Sequence, residues 1–196
     1  MDIAVSIEVL KYLEPLAVGL GILYVILAIK QNSLAWPCAF LSTIIFSIIF
    51  WEGSLPMQTV LNVFYMIMAL YGWLTWRSIK NIKVANSIKL WHHGLLVIFG
   101  VALSLLISFY LEIFLDSLYP KLDAMVAVFS FIATFMVIKK IIDGWLYWIL
   151  INTITCYLFF ITEFYFVAAK FILYILLAMY GYYYWYKHYR ERIMLT

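Results

Sequence analysis

Charged residues are scarce in this sequence. Only 12% of its 196 residues are Asp, Glu, Lys or Arg, whereas 67% are hydrophobic and 20% are aromatic. A soluble domain has roughly 45–50% apolar and about 25% charged residues, so water cannot cover this surface and the solvent must be lipid. The scarcity of charge excludes a soluble catalytic domain, because membrane segments account for the whole chain. The pI near 8.7 reflects basic residues clustered at one membrane face, and we expect no nucleic-acid partner.

Cysteine and catalytic motifs are also scarce. The two cysteines, Cys38 and Cys156, fall inside apolar segments, and we expect small core residues rather than a disulfide or a metal pair. His92 and His93 have no carboxylate or cysteine at ligand spacing, and we expect them at the surface. The sequence has no nucleophile–histidine pair at plausible spacing, no Gly-rich phosphate loop and no ATP-binding motif. We therefore expect no enzyme, no catalytic residues, no metal and no cofactor.

Long apolar segments occur seven times along the chain. A spanning helix needs about 20 mostly apolar residues, and each segment reaches or approaches that length. The predicted helices cover residues 12–29, 34–51, 55–76, 90–115, 122–138, 145–161 and 164–186. Pro15 would stand in the first turn of the first helix, where proline is tolerated. The sequence thus predicts an all-α integral membrane protein with seven transmembrane helices.

Lys and Arg residues concentrate on one predicted membrane face. Ten of them lie on the side that holds the C-terminus and the loops after the first, third and fifth helices, whereas the other side holds only Lys11 and Lys121. Since cytoplasmic loops are enriched in Lys and Arg, we expect the N-terminus outside and the C-terminus in the cytoplasm. Lys170 is the one clear charge inside a segment, and pairing or snorkelling is favoured there over substrate contact.

The chain contains an internal repeat at a constant offset, from residue 71 to residue 180. Residues 71–76 read Tyr-Gly-Trp-Leu-Thr-Trp, and residues 180–185 read Tyr-Gly-Tyr-Tyr-Tyr-Trp. The same offset also matches Lys30 with Lys139, Trp36 with Trp145, Tyr65 with Tyr174 and Ala69 with Ala178. Duplicated helical units in membrane proteins usually build a pathway at their interface.

The repeat predicts three parts of the chain. Residues 1–76 form a first three-helix unit, residues 77–121 form a basic cytoplasmic loop and the connector helix four, and residues 122–196 form a second three-helix unit with a cytoplasmic tail. Because one helix intervenes, helix five crosses the membrane in the same direction as helix one. The two units are therefore predicted to be parallel, related by a pseudo-two-fold axis along the membrane normal.

Helix six carries the densest set of candidate solute contacts. Trp145, Trp148 and Asn152 are spaced i, i+3, i+7, which places them on one helical face. Two indoles and an amide could sandwich a flat ring and hydrogen-bond its edge, and indole faces attract organic cations. The alternative is an aromatic belt at the membrane interface, which suits Trp145 in particular.

Other membrane segments offer weaker candidates. Helix three has Gln58, Asn62 and Tyr65 on one face, although Asn62 could instead bond another helix. Thr43 in helix two aligns with Asn152 in the repeat, but small hydroxyls in membrane helices usually bond their own backbone. Tyr174, the repeat counterpart of Tyr65, completes the predicted substrate-binding set.

These motifs resemble the PnuC family of vitamin transporters, over nearly the whole chain. The similarity is carried by residues 123–185, including Phe-Ser-Phe-Ile-Ala-Thr-Phe-Met-Val-Ile-Lys-Lys and Asp-Gly-Trp-Leu-Tyr-Trp-Ile-Leu-Ile-Asn. Its most specific part is the run Lys-x-x-x-x-Trp-x-x-Trp-x-x-x-Asn from Lys140 to Asn152. The earlier Asn-Val-Phe-Tyr and Leu-Tyr-Gly-Trp-Leu-Thr-Trp stretches also look like the family.

The resemblance implies a three-plus-one-plus-three fold like a full-length SWEET sugar transporter, in a bacterial inner membrane. It implies facilitated uptake of an unphosphorylated vitamin, without ATP, trapped afterwards by a cytoplasmic vitamin kinase, and it implies that homotrimers can form. Nicotinamide riboside is the first expected solute. Members that carry it commonly have Gln at the position of Asn62 and often Asn near Ser42, so the shorter groups here make thiamine a close second.

Two other classes of function remain open at this stage. A membrane receptor or assembly subunit would bind a small aromatic ligand and pass nothing, and an intramembrane enzyme would turn over a lipid. The duplicated helices favour transport over the first, and the missing catalytic residues argue against the second. Binding without flux into vesicles would support the receptor.

Overall fold

The chain is mostly helical in the part that a computed structural model describes, which is residues 3–52, 56–78, 87–114, 119–161, 163 and 165–194. Seven helices are found in these ranges, and each has a stretch long and apolar enough to cross a membrane. They are α1 (Ile3–Ile29), α2 (Ala35–Glu52), α3 (Pro56–Ser78), α4 (Leu90–Phe114), α5 (Pro120–Ile138), α6 (Gly144–Ile161) and α7 (Tyr165–Ile193). The prediction of an all-α, seven-helix membrane protein is confirmed.

The predicted helix ends are wrong at both ends of the chain. Helix α1 begins at Ile3 rather than residue 12, and α7 continues to Ile193 rather than residue 186. Pro15 therefore lies inside α1 and not in its first turn. The predictions followed the apolar window, but a helix can continue beyond the lipid through polar residues. The predicted termini at residues 55, 115 and 164 lie outside the described residues.

Many large side chains point away from the helix contacts. On α4, Ile98, Leu106 and Phe109 are all more than half exposed. Lipid accepts such surface, whereas the backbone polar groups cannot find partners in lipid and must pair within their own segment. The apolar runs therefore form helices, and their outer faces stay apolar.

The chain divides into two compact units. In the first unit (Met1–Asn81), α2 packs against both α1 and α3. In the second unit (Ile82–Thr196), α4 packs on α5, α5 on α6, and α6 on α7. Helix α4 thus belongs with the later helices. A separate connector bounded by residues 76 and 121 stays a prediction, as does the parallel SWEET-like arrangement.

The same turn connects α1 to α2 and α5 to α6. Gln31 and Lys140 occupy equivalent positions in the repeat, and each has a φ of 54°. The next residue in each turn donates its N–H to a carbonyl five residues earlier, Asn32 to Leu27 at 2.9 Å and Ile141 to Met136 at 2.8 Å. A left-handed residue followed by this hydrogen bond satisfies carbonyls at a helix end. The repeat therefore extends to backbone geometry.

Each unit also contains the same buried packing of two tryptophans on a glycine, here called the tryptophan clamp. The first clamp consists of Trp36, Gly72 and Trp76, and the second consists of Trp145, Gly181 and Trp185. The indole pairs meet edge to face, with centroids 5.2 Å apart at 88° in the first clamp and 5.4 Å apart at 85° in the second. The repeated Tyr-Gly-x-x-x-Trp motif is therefore a packing motif.

Both glycines are required by close approach. A Cβ on Gly181 would lie 2.7 Å from the Trp145 ring, and a Cβ on Gly72 would overlap the Trp36 ring in the same way. Carbon atoms in contact need about 3.5–4.0 Å, so a side chain at either position would displace the indole. Each clamp holds the start of one helix against the end of another, α2 against α3 and α6 against α7.

Candidate functional site

Asn152 is a nearly buried amide in the middle of α6. Its exposed fraction is 6%, and no hydrogen bond of its side chain is found within the described ranges. An amide has two N–H donors and an acceptor oxygen, so the Asn152 side chain can bind a ligand that offers both a donor and an acceptor.

Trp148 shares the Asn152 face of α6 and is half-buried. At about 100° per residue, Trp148 and Asn152 lie within about 40° of each other around the helix. One indole beside one unpaired amide can hold a flat ring by its face and its edge. The second unit therefore places an indole and an unpaired amide on one helical face, and their contact with a solute stays a prediction.

Trp145 lies on the same face of α6 but in a different environment. Its exposed fraction is 3%, because it packs on Gly181 and meets the edge of Trp185. Its indole contacts are thus made within the second clamp. The structure assigns it a packing role, and its predicted contact with a solute stays a prediction.

One of the three candidates on α3 already uses a hydrogen-bonding group within its own helix. Asn62 donates its Nδ2 hydrogen to the carbonyl of Gln58 at 2.8 Å, so its Oδ1 atom is the group that can accept from a ligand. Gln58 is exposed and Tyr65 is half-buried. The centroid of the Tyr65 ring lies 6.0 Å from the centroid of the Phe64 ring. These residues form a second polar surface, in the first unit.

Hydroxyl groups of α2 bond to the backbone. Thr43 donates within its own helix, 3.0 Å from the carbonyl oxygens of both Ala39 and Phe40. Ser42 is buried and donates to the carbonyl of Ala17 on α1 at 2.8 Å. Ser42 therefore joins two helices, and Thr43 keeps only acceptor capacity for a solute.

The remaining membrane candidates lie on α7. Tyr174 is half-buried and contacts the Phe171 ring edge to face, with centroids 6.0 Å apart. Lys170 is also half-buried, with Nζ 5.1 Å from the centroid of the Phe171 ring. Tyr174 belongs to the same unit as Trp148 and Asn152, whereas the α2 and α3 candidates belong to the first unit. The predicted meeting of the two groups on one axis stays a prediction.

A polar cluster in the second unit was missed by the sequence analysis. The expectation that His93 is a surface residue without a carboxylate partner is wrong, because its Nε2 atom lies 3.4 Å from Oδ2 of Asp143. Its Nδ1 atom lies 3.0 Å from the Tyr147 hydroxyl, and Asp143 Oδ2 accepts the backbone N–H of Ile88 at 2.8 Å. We call these three side chains, with the Ile88 N–H, the polar clasp.

Metal ligation finds no support in the part of the chain that the structure describes. No group of three or more His, Cys, Asp or Glu side chains is found there. Cys38 and Cys156 are half-buried and unbridged, and Cys156 donates its thiol to the carbonyl of Ala168 at 3.4 Å.

Comparison with known proteins yields one family and several relatives. The family model described as "Nicotinamide mononucleotide transporter" matches residues 11–187. The nicotinamide riboside transporters PnuC of Escherichia coli (strain K12) and Shigella flexneri are each 23% identical over 211 residues, covering 93% of this chain and 88% of the relative. A crystal structure of the vitamin B3 transporter PnuC aligns with a TM-score of 0.76 at 21% identity, covering 92% of this chain and 83% of that chain. The structural similarity supports the seven-helix fold.

Proposed function

Because this chain belongs to the nicotinamide mononucleotide transporter family, we propose that it carries an unphosphorylated B-vitamin-type solute, nicotinamide riboside first and thiamine second, across a bacterial inner membrane. The resemblance to the PnuC family is confirmed, and so is the expectation that the chain is a transporter and not an enzyme. Two relatives are named as nicotinamide riboside transporters, which supports placing this solute first.

The observation that carries the proposal is the unpaired amide of Asn152 beside Trp148. Nicotinamide riboside and thiamine both contain a flat aromatic cation, which an indole face attracts by about 0.5–2 kcal/mol. Both also present a donor and an acceptor at a ring edge, as the carboxamide or the aminopyrimidine. The Asn152 amide offers the complementary acceptor and donor, so either solute can complete its hydrogen bonds.

The other predicted residues have graded roles in the proposal. Asn62 Oδ1 and the Tyr65 hydroxyl bind the ribose or hydroxyl end of the solute, and Gln58 stands at the exposed end of the same face. Thr43 and Tyr174 line the path. Trp145 holds α6 on α7 through the second clamp, and the solute stacks on Trp148.

Transport in this proposal is a rocking of helix units around the bound solute. The concentration gradient drives it, and a cytoplasmic vitamin kinase maintains the gradient by phosphorylating the solute that arrives. The N-terminus lies outside and the C-terminus in the cytoplasm, as the Lys and Arg distribution favours. The protein assembles as a homotrimer. Neither an ion gradient nor ATP enters the cycle.

Uptake into liposomes tests the proposal directly. Purified protein is reconstituted, and entry of labelled nicotinamide riboside, thiamine and riboflavin is followed without ATP. We expect saturable, gradient-driven entry of one of them, with a thermal shift for the same compound and none for its phosphorylated form. A ligand that raises the melting temperature but does not enter the vesicles would instead identify a receptor or assembly subunit. No entry and no thermal shift with any of the three would reject the proposal.

A further inference from the structure

The polar clasp joins the starts of two helices inside the second unit. His93 lies in the first turn of α4, Tyr147 lies in the first turn of α6, and Asp143 immediately precedes α6. The Asp143 side chain is only 6% exposed. A buried carboxylate is costly unless it is paired and hydrogen-bonded. Asp143 therefore depends on His93 in α4 and on the Ile88 N–H just before α4.

The three side chains form a continuous chain of hydrogen-bond donors and acceptors. With the proton of His93 on Nε2, facing Asp143, the Nδ1 atom accepts the Tyr147 hydroxyl hydrogen. Asp143 Oδ2 also accepts the Ile88 N–H, a donor from the segment just before α4. Each side chain is thereby paired across the contact, and removal of one leaves the next unsatisfied.

The first unit has the same turn without a clasp. At the position of Asp143 it has Leu34, which is 59% exposed, and at the position of Tyr147 it has Cys38. The N–H of Leu34 is held locally by Asn32 Oδ1 at 2.9 Å. Since the turn forms with Leu34, the carboxylate of Asp143 is not needed to build the turn. The role of Asp143 is therefore to connect the start of α6 with His93 and with the Ile88 N–H.

The clasp and the candidate solute residues occupy different sides of α6. Tyr147 faces α4 through His93 and α5 through Phe129, whose ring centroid is 6.4 Å away. Trp148 and Asn152 lie about 100° and 140° further around the helix, and Asn152 is about 7.5 Å along the axis from Tyr147. If the contact at Tyr147 were lost, α6 would be able to rotate or shift, and Trp148 and Asn152 would move with it.

We propose that the polar clasp sets the rotation of α6 and so places Trp148 and Asn152 for solute binding. Asp143, His93 and Tyr147 are positioning residues that act on the solute only through α6. The inference rests on the proposed function of Trp148 and Asn152. It adds α4 to the binding machinery, because the α4 start fixes the helix that carries the site.

Two measurements on the full-length protein test the clasp. Solute affinity is measured by titration with nicotinamide riboside and thiamine, and hydrogen exchange reports the amides of residues 147–152. For Asp143→Ala we expect a Kd about tenfold higher, since small misplacement of binding groups is costly, together with faster exchange. Asp143→Asn keeps an acceptor for the Ile88 N–H and should recover part of both effects. Tyr147→Phe keeps the ring contact with Phe129 and should raise the Kd by less.

The control is Asn32→Ala, which removes the side-chain hydrogen bond of the equivalent turn and should leave Kd and α6 exchange unchanged. A lower melting temperature with unchanged Kd and exchange in Asp143→Ala and Tyr147→Phe would show a purely structural role and overturn the inference. If Asp143→Ala does not fold, Asp143→Asn and Tyr147→Phe decide. If the wild type binds neither solute, the proposed function is rejected, and α6 exchange alone decides whether the clasp fixes the helix.

Discussion

The two tryptophan clamps are built alike, but the helices they hold differ in polarity. In the described part of the chain, the buried polar or charged side chains of α1–α3 amount to Ser42 alone. Helices α5 and α6 with their connecting turn have Ser130, Thr134, Lys140, Asp143, Asn152 and Thr155. The same backbone turn and the same indole packing therefore support one copy with a single buried polar side chain and one copy with several.

This difference shows where a duplicated scaffold can diverge. The clamp residues and the left-handed conformation of the turn residue, Gln31 or Lys140, are shared by both copies, because close packing and helix termination depend on them. Positions about one and two turns further along the helix are not constrained in this way, and Ala39 and Thr43 of α2 are replaced by Trp148 and Asn152 in α6. The scaffold is thus shared by the copies, whereas the indole of Trp148 and the amide of Asn152 have no counterparts in α2.

The largest expected effect tests whether the clamps are equivalent. Gly72→Ala and Gly181→Ala should each lower the free energy of unfolding by about 1–3 kcal/mol, because the added Cβ overpacks against an indole. Melting temperatures in detergent measure this. Gly19→Ala is the matched control, since a Cβ at Gly19 meets no atom within 4 Å. If Gly72→Ala left the melting temperature unchanged while Gly181→Ala lowered it, the two clamps would not be equivalent.

The second prediction concerns the polar difference between the copies. Asn152→Ala should weaken solute binding about tenfold, or about 1.4 kcal/mol, because it removes the amide that pairs with the ring edge. Thr43→Ala in the first copy should change the Kd by less, since the Thr43 hydroxyl already donates to its own helix. Calorimetric titration compares the two. Equal losses at both positions would show that the solute contacts are shared between the copies.

A third prediction separates packing from solute contact at the tryptophans. Trp76→Phe and Trp185→Phe should each cost about 0.5–1.5 kcal/mol of stability through the weakened edge-to-face pair. Neither change should alter solute affinity by more than a small factor, because both side chains are buried in their clamps. Melting curves and titrations on the same preparations give the answer. A specific loss of affinity in Trp185→Phe would place the second clamp in the site.

The smallest expected effect is a loss of stability from one hydrogen bond in the first unit. Ser42→Ala removes the hydrogen bond to the Ala17 carbonyl, and interhelical bonds of this kind in membranes average about 0.6 kcal/mol. The repeat counterpart is the apolar Ile151, so the scaffold itself does not require the bond. Unfolding of the variant in mixed micelles measures the change. A loss well above this value would show that α1 depends on Ser42 for its place.

The helices and the repeat could be predicted from the sequence, and their ends could not. Hydropathy identifies the part of a helix that crosses lipid, so all seven helices were found. It carries no information on how far a helix continues into water, so the starts and ends at Ile3 and Ile193 were missed. The matched Gly and Trp residues predicted a repeat, but not that Gly181 lies under the Trp145 ring.

The candidate site could be predicted only in part, because sequence spacing shows which residues share a helical face but not which helices cover them. Helical spacing shows that Trp145, Trp148 and Asn152 share a face, but not that α7 covers the first of them. The polar clasp could not be found by spacing at all, because His93 and Asp143 are 50 positions apart and meet only because α4 packs on α5 and α5 packs on α6. Its one visible signal is Asp143 itself, a carboxylate directly before an apolar helix.

The position of the first clamp in the chain has a consequence for how the protein is made. All three of its residues lie in residues 36–76, so its contacts can form before α4–α7 have been synthesised. During synthesis the first unit can complete its own packing in the membrane while the ribosome is still producing the second. The polar clasp, by contrast, needs His93, Asp143 and Tyr147 together, so it cannot form until α6 has been made.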